Sequence, residues 1–238
     1  MKTARDEMAA SGVLRAAINT GNPVLAKPGV DGGDPTGVSV DLARELARRL
    51  DLPVTFIAFD TASRVFEALD NGVWDVAFLA NEPERATKIA FTTPYVIIEG
   101  TYLVRADSPY QSVAELDQPG LRVASCRAAA YDLFLSRNLK HAERVLSDLP
   151  AASMAAFLAQ GLDAAAGVRQ ALQAFAADKP GLRVVEDRFM AIGQAVAAPQ
   201  GRPAAAAYLE AFVAEAKRSG FIRAALDRHG HADLAVAP

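Results

Sequence analysis

The chain has 238 residues, of which 51% are hydrophobic, and 25 basic side chains nearly balance 28 acidic ones for a net charge of −3. That length suits one large domain or two lobes of about 100–120 residues, and the charge balance lacks the basic excess of a nucleic-acid binder. No apolar run approaches the roughly 20 residues of a membrane-spanning helix, and the single cysteine, Cys126, excludes an internal disulfide.

The N-terminus, MKTARDE, has neither the apolar core nor the small-residue cleavage site of a signal peptide. The expected location is therefore periplasmic if a leader has been removed and cytoplasmic if this is the full-length chain. Residues 13–18 read as a strand, ended by the turn-forming Asn19-Thr20-Gly21-Asn22-Pro23. A glycine-rich connection over residues 29–37 leads to an amphipathic helix at 38–50, whose stripe is Val40, Leu42, Leu46 and Leu50. A strand at 54–59, a helix at 63–69 stopped by Asn71-Gly72, and a strand at 73–80 complete an alternating pattern. Such alternation is the mark of βαβ units around a parallel sheet.

The segment from Gly72 to Tyr95, GVWDVAFLANEPERATKIAFTTPY, carries the most specific signal. A buried strand ends in the polar turn 81–84, and Arg85 follows at the start of a short helix. An arginine there, beside free N–H groups of a helix start, is suited to a carboxylate, and ligands of open α/β sheets bind at the carboxyl ends of the strands. A further strand is expected at 96–104. The elements then repeat: strand 121–125, helix 128–139, an apolar run at Val145, helix 151–160 and strand 163–168. FEALDNG followed by Asp75 and FLAQG followed by Asp163 form a faint internal echo. A strand at 192–198, a helix at 203–217 and a last helix at 221–228 precede a tail, 229–238, expected to be disordered or loosely packed. The alanine-rich stretches at 151–177 and 204–216 read as helix-forming composition rather than as function.

Six motifs in this order are GVSVDLA at 37–43, LDNGVWD at 69–75, PER at 83–85, FTTPY at 91–95, SVAEL at 112–116 and SGFI at 219–222. Through them the chain resembles the bacterial extracellular solute-binding proteins of family 3, the periplasmic substrate-binding components of polar amino-acid ABC transporters, as a divergent member. The resemblance implies an α/β, two-lobed periplasmic-binding-protein type II fold. Each lobe would be a mostly parallel sheet flanked by helices, and two crossing strands near 101–105 and 194–198 would join them. Residues 1–103 and 196–238 would make lobe 1 and residues 104–195 lobe 2. The implied function is binding of a small carboxylate-bearing solute, amino-acid-like or an organic acid, in the interlobe cleft with hinge closure.

By the same resemblance Arg85 pairs with the ligand carboxylate, the alternative being a surface salt bridge with Glu82 or Asp60. Asn19 and Asn22 fall where the family has an aspartate and an aromatic residue near the ligand, and turn chemistry alone would also explain them. Asn81 stands where hydroxyl residues are usual. In the second lobe the family's Gly-Thr pair is replaced by the run from Ser125 to Tyr131, where Arg127 and Tyr131 become the candidates. The ammonium-binding aspartate is replaced by Val168, followed by Arg169, which disfavours a standard α-amino acid and makes a second anionic or polar end plausible; the alternative is that Arg169 faces solvent. Glu99 lies in an apolar strand, either as a polar ligand contact or as an edge charge facing water.

The implied partners are an anionic or zwitterionic small molecule and an ABC permease, with no nucleic acid, no membrane insertion and a monomeric state. No cofactor or metal is expected, since no GxGxxG, Walker or HExxH pattern occurs. The alternatives are an enzyme on the same scaffold, similar to cyclohexadienyl dehydratase, with Glu99 or Glu82 as its acid, and a cytoplasmic ligand sensor. Cys126 lacks a histidine partner for nucleophilic chemistry.

Overall fold

The computed structural model describes residues 2–238 and divides them into two compact units. Unit 1 comprises the chain up to Ile97 together with Gly193–Pro238, and unit 2 is Ile98–Ile192. The divisions fall inside two ten-residue strands, β5 (Val96–Arg105) and β10 (Met190–Pro199), a few residues before the expected boundaries at 103/104 and 195/196.

Unit 1 is built on β1 (Leu14–Asn19), β2 (Val54–Phe59) and β3 (Val76–Ala80), in the order β2-β1-β3, all parallel. β10 runs antiparallel beside β3, and the short β4 (Ile89–Phe91) pairs with its far end. All five residues of β3 are buried, as the apolar run VAFLA requires of a strand covered on both faces. The helices are α2 (Val38–Arg49), α3 (Ala62–Glu67) and the short α4 (Pro83–Ala86), with α8 (Pro203–Arg218) and α9 (Phe221–Arg228) contributed by the C-terminal segment. The core gathers Ala17, Val65, Trp74, Ala77, Leu79 and Ile89. Trp74 is fully buried, and its indole N–H donates to the Val65 carbonyl at 2.8 Å, so a large apolar side chain is buried without an orphaned donor.

Unit 2 repeats the plan. β6 (Arg122–Cys126) lies between β7 (Glu143–Ser147) and β8 (Ala164–Val168), all parallel, with β5 antiparallel beyond β8 and β9 (Leu182–Val184) paired to the end of β5. α5 (Ala130–Asn138) and α6 (Pro150–Ala159) are its crossovers, and α7 (Arg169–Ala176) follows β8. Leu103, Ala124, Phe157, Leu162, Ala165 and Leu172 form its core.

The echo around Asp75 and Asp163 has a structural basis. Asp75 precedes β3, its amide donates to the Arg15 carbonyl at 2.9 Å, and its carboxylate accepts from the Arg15 amide at 3.2 Å. Asp163 precedes β8, with the same two bonds to Arg122 at 3.0 and 2.7 Å. Each aspartate thus joins the start of a unit's third strand to the start of its first.

One expectation is corrected. The tail is packed: Leu234 and Ala237 are each 5% exposed, Val236 bridges Val96, and Arg223 donates to the carbonyls of His231 and Leu234. Its alternating apolar residues supply a short edge pairing that polar flanks concealed. The N-terminal residues form α1 (Ala4–Met8), capped by Thr3 and Asp6 in a reciprocal box, with Met8 fully buried. The spacing Thr3-x-x-Asp6 was the available signal.

Candidate functional site

In unit 1 the chain leaves β1 on one side for β2 and returns on the other for β3, so the sheet's switch point lies between β1 and β3. The crevice beyond the strand ends at such a point is where open α/β sheets receive ligands. Asn19 closes β1, Asn22 follows three residues on, and Asn81 and Arg85 follow β3. The β1–β3 register pairs Ala17 with Ala77, which carries Asn19 level with Leu79, two residues short of Asn81. The four unit-1 candidates therefore share one edge of the sheet.

The loop after β1 is shaped by close packing. Asn19 Oδ1 accepts from the Gly21 amide at 3.1 Å, and Thr20 donates twice to the Phe59 carbonyl, from its amide at 2.8 Å and its hydroxyl at 2.9 Å. A Cβ on Gly21 would fall 1.9 Å from the Asp60 carbonyl oxygen, so only glycine lets the backbone approach β2 this closely. Asn22 Oδ1 is shielded from solvent without a hydrogen-bond partner, as is Asp60 Oδ1, although Asp60 Oδ2 binds Arg64 at 2.7 Å. Two orphaned acceptors at one strand edge are unusual for a structural turn.

Arg85 is 2% exposed and donates to the Ala80 carbonyl at 3.4 Å. Burial pushes its guanidinium down to about 10, against the raising effect of the Glu82 and Glu84 charges. It stays a cation at neutral pH. Glu82 is also buried, 1% exposed, so Arg85 lies deep in the turn beside an acidic residue rather than on the surface. Asn81 is exposed, and its amide donates to the Gly193 carbonyl at 2.9 Å.

In unit 2 the candidates have internal partners. Arg127 is exposed and pairs with Asp148 at 3.2 Å. Tyr131 is buried, and the loss of solvent raises its hydroxyl pKa well above the ordinary value. The start of α5 holds a carboxylate of its own: Asp132 accepts from the Ala128 amide at 3.0 Å and from Arg144 at 2.6 Å, and is 3% exposed. Sequence reasoning missed this residue, although an acid at the third helical position is a known capping signal.

Arg169 does not face solvent. It meets Glu99 at 2.6 Å and donates to the carbonyls of Val185, Glu186 and Asp187 at 2.8–3.1 Å. Arg188 holds the other oxygen of Glu99 at 2.5 Å, so Glu99 is an ion-paired node within unit 2 rather than a free edge charge. Burial alone would raise the Glu99 pKa, but Arg169 and Arg188 lower it below the ordinary carboxylate value. Cys126 is buried, and desolvation chiefly pushes its thiol up to about 12, which makes it a poor nucleophile. Among the described residues no group of three or more His, Cys, Asp or Glu side chains is placed to hold a metal ion.

The model of the bacterial extracellular solute-binding proteins, family 3, matches residues 14–232. The cysteine-binding protein from Campylobacter jejuni is 20% identical, with 97% of this chain and 94% of that chain covered at a TM-score of 0.82. A mutant of ArgBP from T. maritima is 22% identical over 95% of this chain and 98% of that one, with a TM-score of 0.80. The ancestral amino acid-binding protein AncCDT-1, a precursor of cyclohexadienyl dehydratase, is 22% identical over 95% and 99% of the two chains, also at 0.80. At these identities the likeness establishes a shared fold.

Proposed function

The chain belongs to the bacterial extracellular solute-binding proteins, family 3, and on that premise we propose that it captures a small carboxylate-bearing solute for an ABC-type uptake system outside the cytoplasmic membrane. The solute's carboxylate would meet Arg85 at the carboxyl end of β3, with Asn19 and Asn22 supplying polar contacts from the end of β1. One observation carries this reading: Arg85 is a buried cation at the switch point of a parallel sheet. A desolvated guanidinium binds a carboxylate more strongly and more directionally than an exposed one. The amino-acid-binding proteins of the same fold favour an amino-acid-like solute. Among the described residues no helix is long and apolar enough to cross a membrane, in keeping with a binding component that serves a separate permease.

An enzymatic reading has less support. Glu99 is held ionised by two arginines, so it is a poor proton donor at neutral pH. A thermal-shift screen of amino acids, dicarboxylates and aromatic acids tests the proposal, because a specific ligand stabilises by RT ln(1 + [L]/Kd), about 2.7 kcal/mol at a hundredfold excess over Kd. Arg85→Gln should erase the shift produced by any hit while the far-UV circular dichroism stays unchanged. A folded Arg85→Gln protein that is stabilised as much as the wild type would refute the assignment of Arg85. Turnover of the hit, followed by NMR, would instead establish an enzyme.

A further inference from the structure

Unit 1 contains a concavity of about 410 Å³ between the loop after β1, the start of α2 and the end of α9. It begins one residue after Asn22, with Pro23 and Val24 in its wall. Its ionisable lining is Lys27, Arg228, His229 and His231, and no carboxylate lines it among the described residues. Four nitrogen bases from two distant stretches of sequence therefore converge on one pocket. In the sequence, His229-Gly230-His231 is only a His-Gly-His run near the C-terminus. The packed tail places it here.

The basic groups are not neutralised equally. Asp41, on α2 and outside the pocket lining, accepts from Arg228 at 2.5 Å and lies 3.0 Å from His229 Nε2 through the same oxygen. That carboxylate fixes two of the four groups in position. Lys27 has no ion-pair partner among the described residues, and its backbone is held in both directions by Thr36, at 2.8 and 3.0 Å. The backbone of His231 is fixed by the Leu226 carbonyl at 2.9 Å. Gly37, at the start of α2, has φ of 130°, and a Cβ there would fall 2.4 Å from the Leu25 carbonyl. The pocket wall is thus held rigidly, and α2 begins without a side-chain cap.

We propose that this pocket is a second binding site, for a small doubly charged oxyanion held by Lys27, His231 and Arg228. Oxyanion oxygens accept hydrogen bonds from ammonium, guanidinium and imidazolium groups together, and no carboxylate in this lining repels them. The environment of His231 agrees. Burial lowers its pKa, the charge of Asp233 raises it, and Lys27 and His229 lower it further. A bound anion would relieve that repulsion, so binding should tighten as pH falls through the imidazole range.

Sulfate is the probe, because its charge is constant across the range in which imidazole titrates. The imidazole resonances of 15N-labelled protein are followed while sodium sulfate replaces sodium chloride at fixed ionic strength, at about pH 6 and about pH 8. The expected result is a saturable shift at His231, tighter at the lower pH. Lys27→Gln should weaken the binding read at His231 by about tenfold, the cost of one charge-assisted hydrogen bond, and His231→Gln should weaken by as much the response read at His229. The response of Arg85→Gln should match the wild type, which separates this pocket from the solute site. A response that does not saturate, that both pocket variants leave unchanged, or that vanishes in Arg85→Gln would overturn the proposal.

Discussion

Ala128 shows how a single position records a departure from the family pattern. In the segment where a Gly-Thr pair is expected, Ala128 adopts φ of 56°, a left-handed conformation that disfavours any residue with a Cβ. The conformation persists because the Ala128 amide must reach Asp132, whose other oxygen is bound to Arg144. Left-handed geometry costs an L-residue about 1–2 kcal/mol, while glycine loses about 0.5–1 kcal/mol more chain entropy on folding than alanine. Ala128→Gly should therefore stabilise the protein by about 0.5–1 kcal/mol, read as a higher urea midpoint at an unchanged slope. A lower midpoint would show that the turn is not strained. The site residues near it were legible only as chemical types. Arg127 and Arg169 were recognisable as cations after strand ends, but their partners lie 21 and 70 residues away in sequence, beyond any local pattern.

At the scale of elements the sequence was far more legible, because burial in strands and helices imposes periodicities that survive translation into residue types. β2 and α9 occupy the ranges read from alternation and from the Ser219-Gly220 break, and α2 differs by one residue at its end. α7 escaped notice because it follows β8 without a loop and begins at the residue weighed only as a ligand contact, Arg169. Element-level electrostatics also predict a pH response. On α2, Glu45 accepts from Arg48 and Arg49 at 2.7–2.9 Å, and its pKa is held down to about 2, chiefly by the Arg48 bond. A carboxyl whose folded pKa lies below its unfolded value contributes stability above the unfolded value and loses it as pH falls toward the folded one. The window therefore runs downward from the ordinary glutamate pKa of about 4.3 to about 2. Arg48 is mostly exposed, so solvent screening holds the contribution to about 1 kcal/mol or less. Glu45→Gln should lower stability by that amount at pH 7 and flatten the acid limb of the stability curve. Equal pH dependence of variant and wild type below about pH 4.5 would remove Glu45 from the account.

For the whole molecule, the doubly repeated order of three parallel strands, β2-β1-β3 and β7-β6-β8, explains why two lobes could be read from the chain. Each order needs the same succession of strand, crossover helix and returning strand, and each unit buries its own core. What the succession does not encode is how the C-terminal segment finishes unit 1, since it pairs with strands far earlier in the chain. The tail closes that unit: Val236 bridges Val96, the Ala237 amide donates to the Tyr95 carbonyl at 3.1 Å, and Leu234 is buried. Burying a leucine side chain is worth about 1.5–3 kcal/mol, so a chain ending at Ala232 should lose at least that much from unit 1. For a protein of this size the melting temperature should fall by about 2–4 °C per kcal/mol. Hydrogen exchange should also quicken at the amides of Ile97 and the tail-facing end of α9, where Arg223 gives up its bond to the Leu234 carbonyl. A truncated protein that melts with the full chain would show that unit 1 is complete without its last residues, and that the packing of Leu234 contributes nothing to its stability.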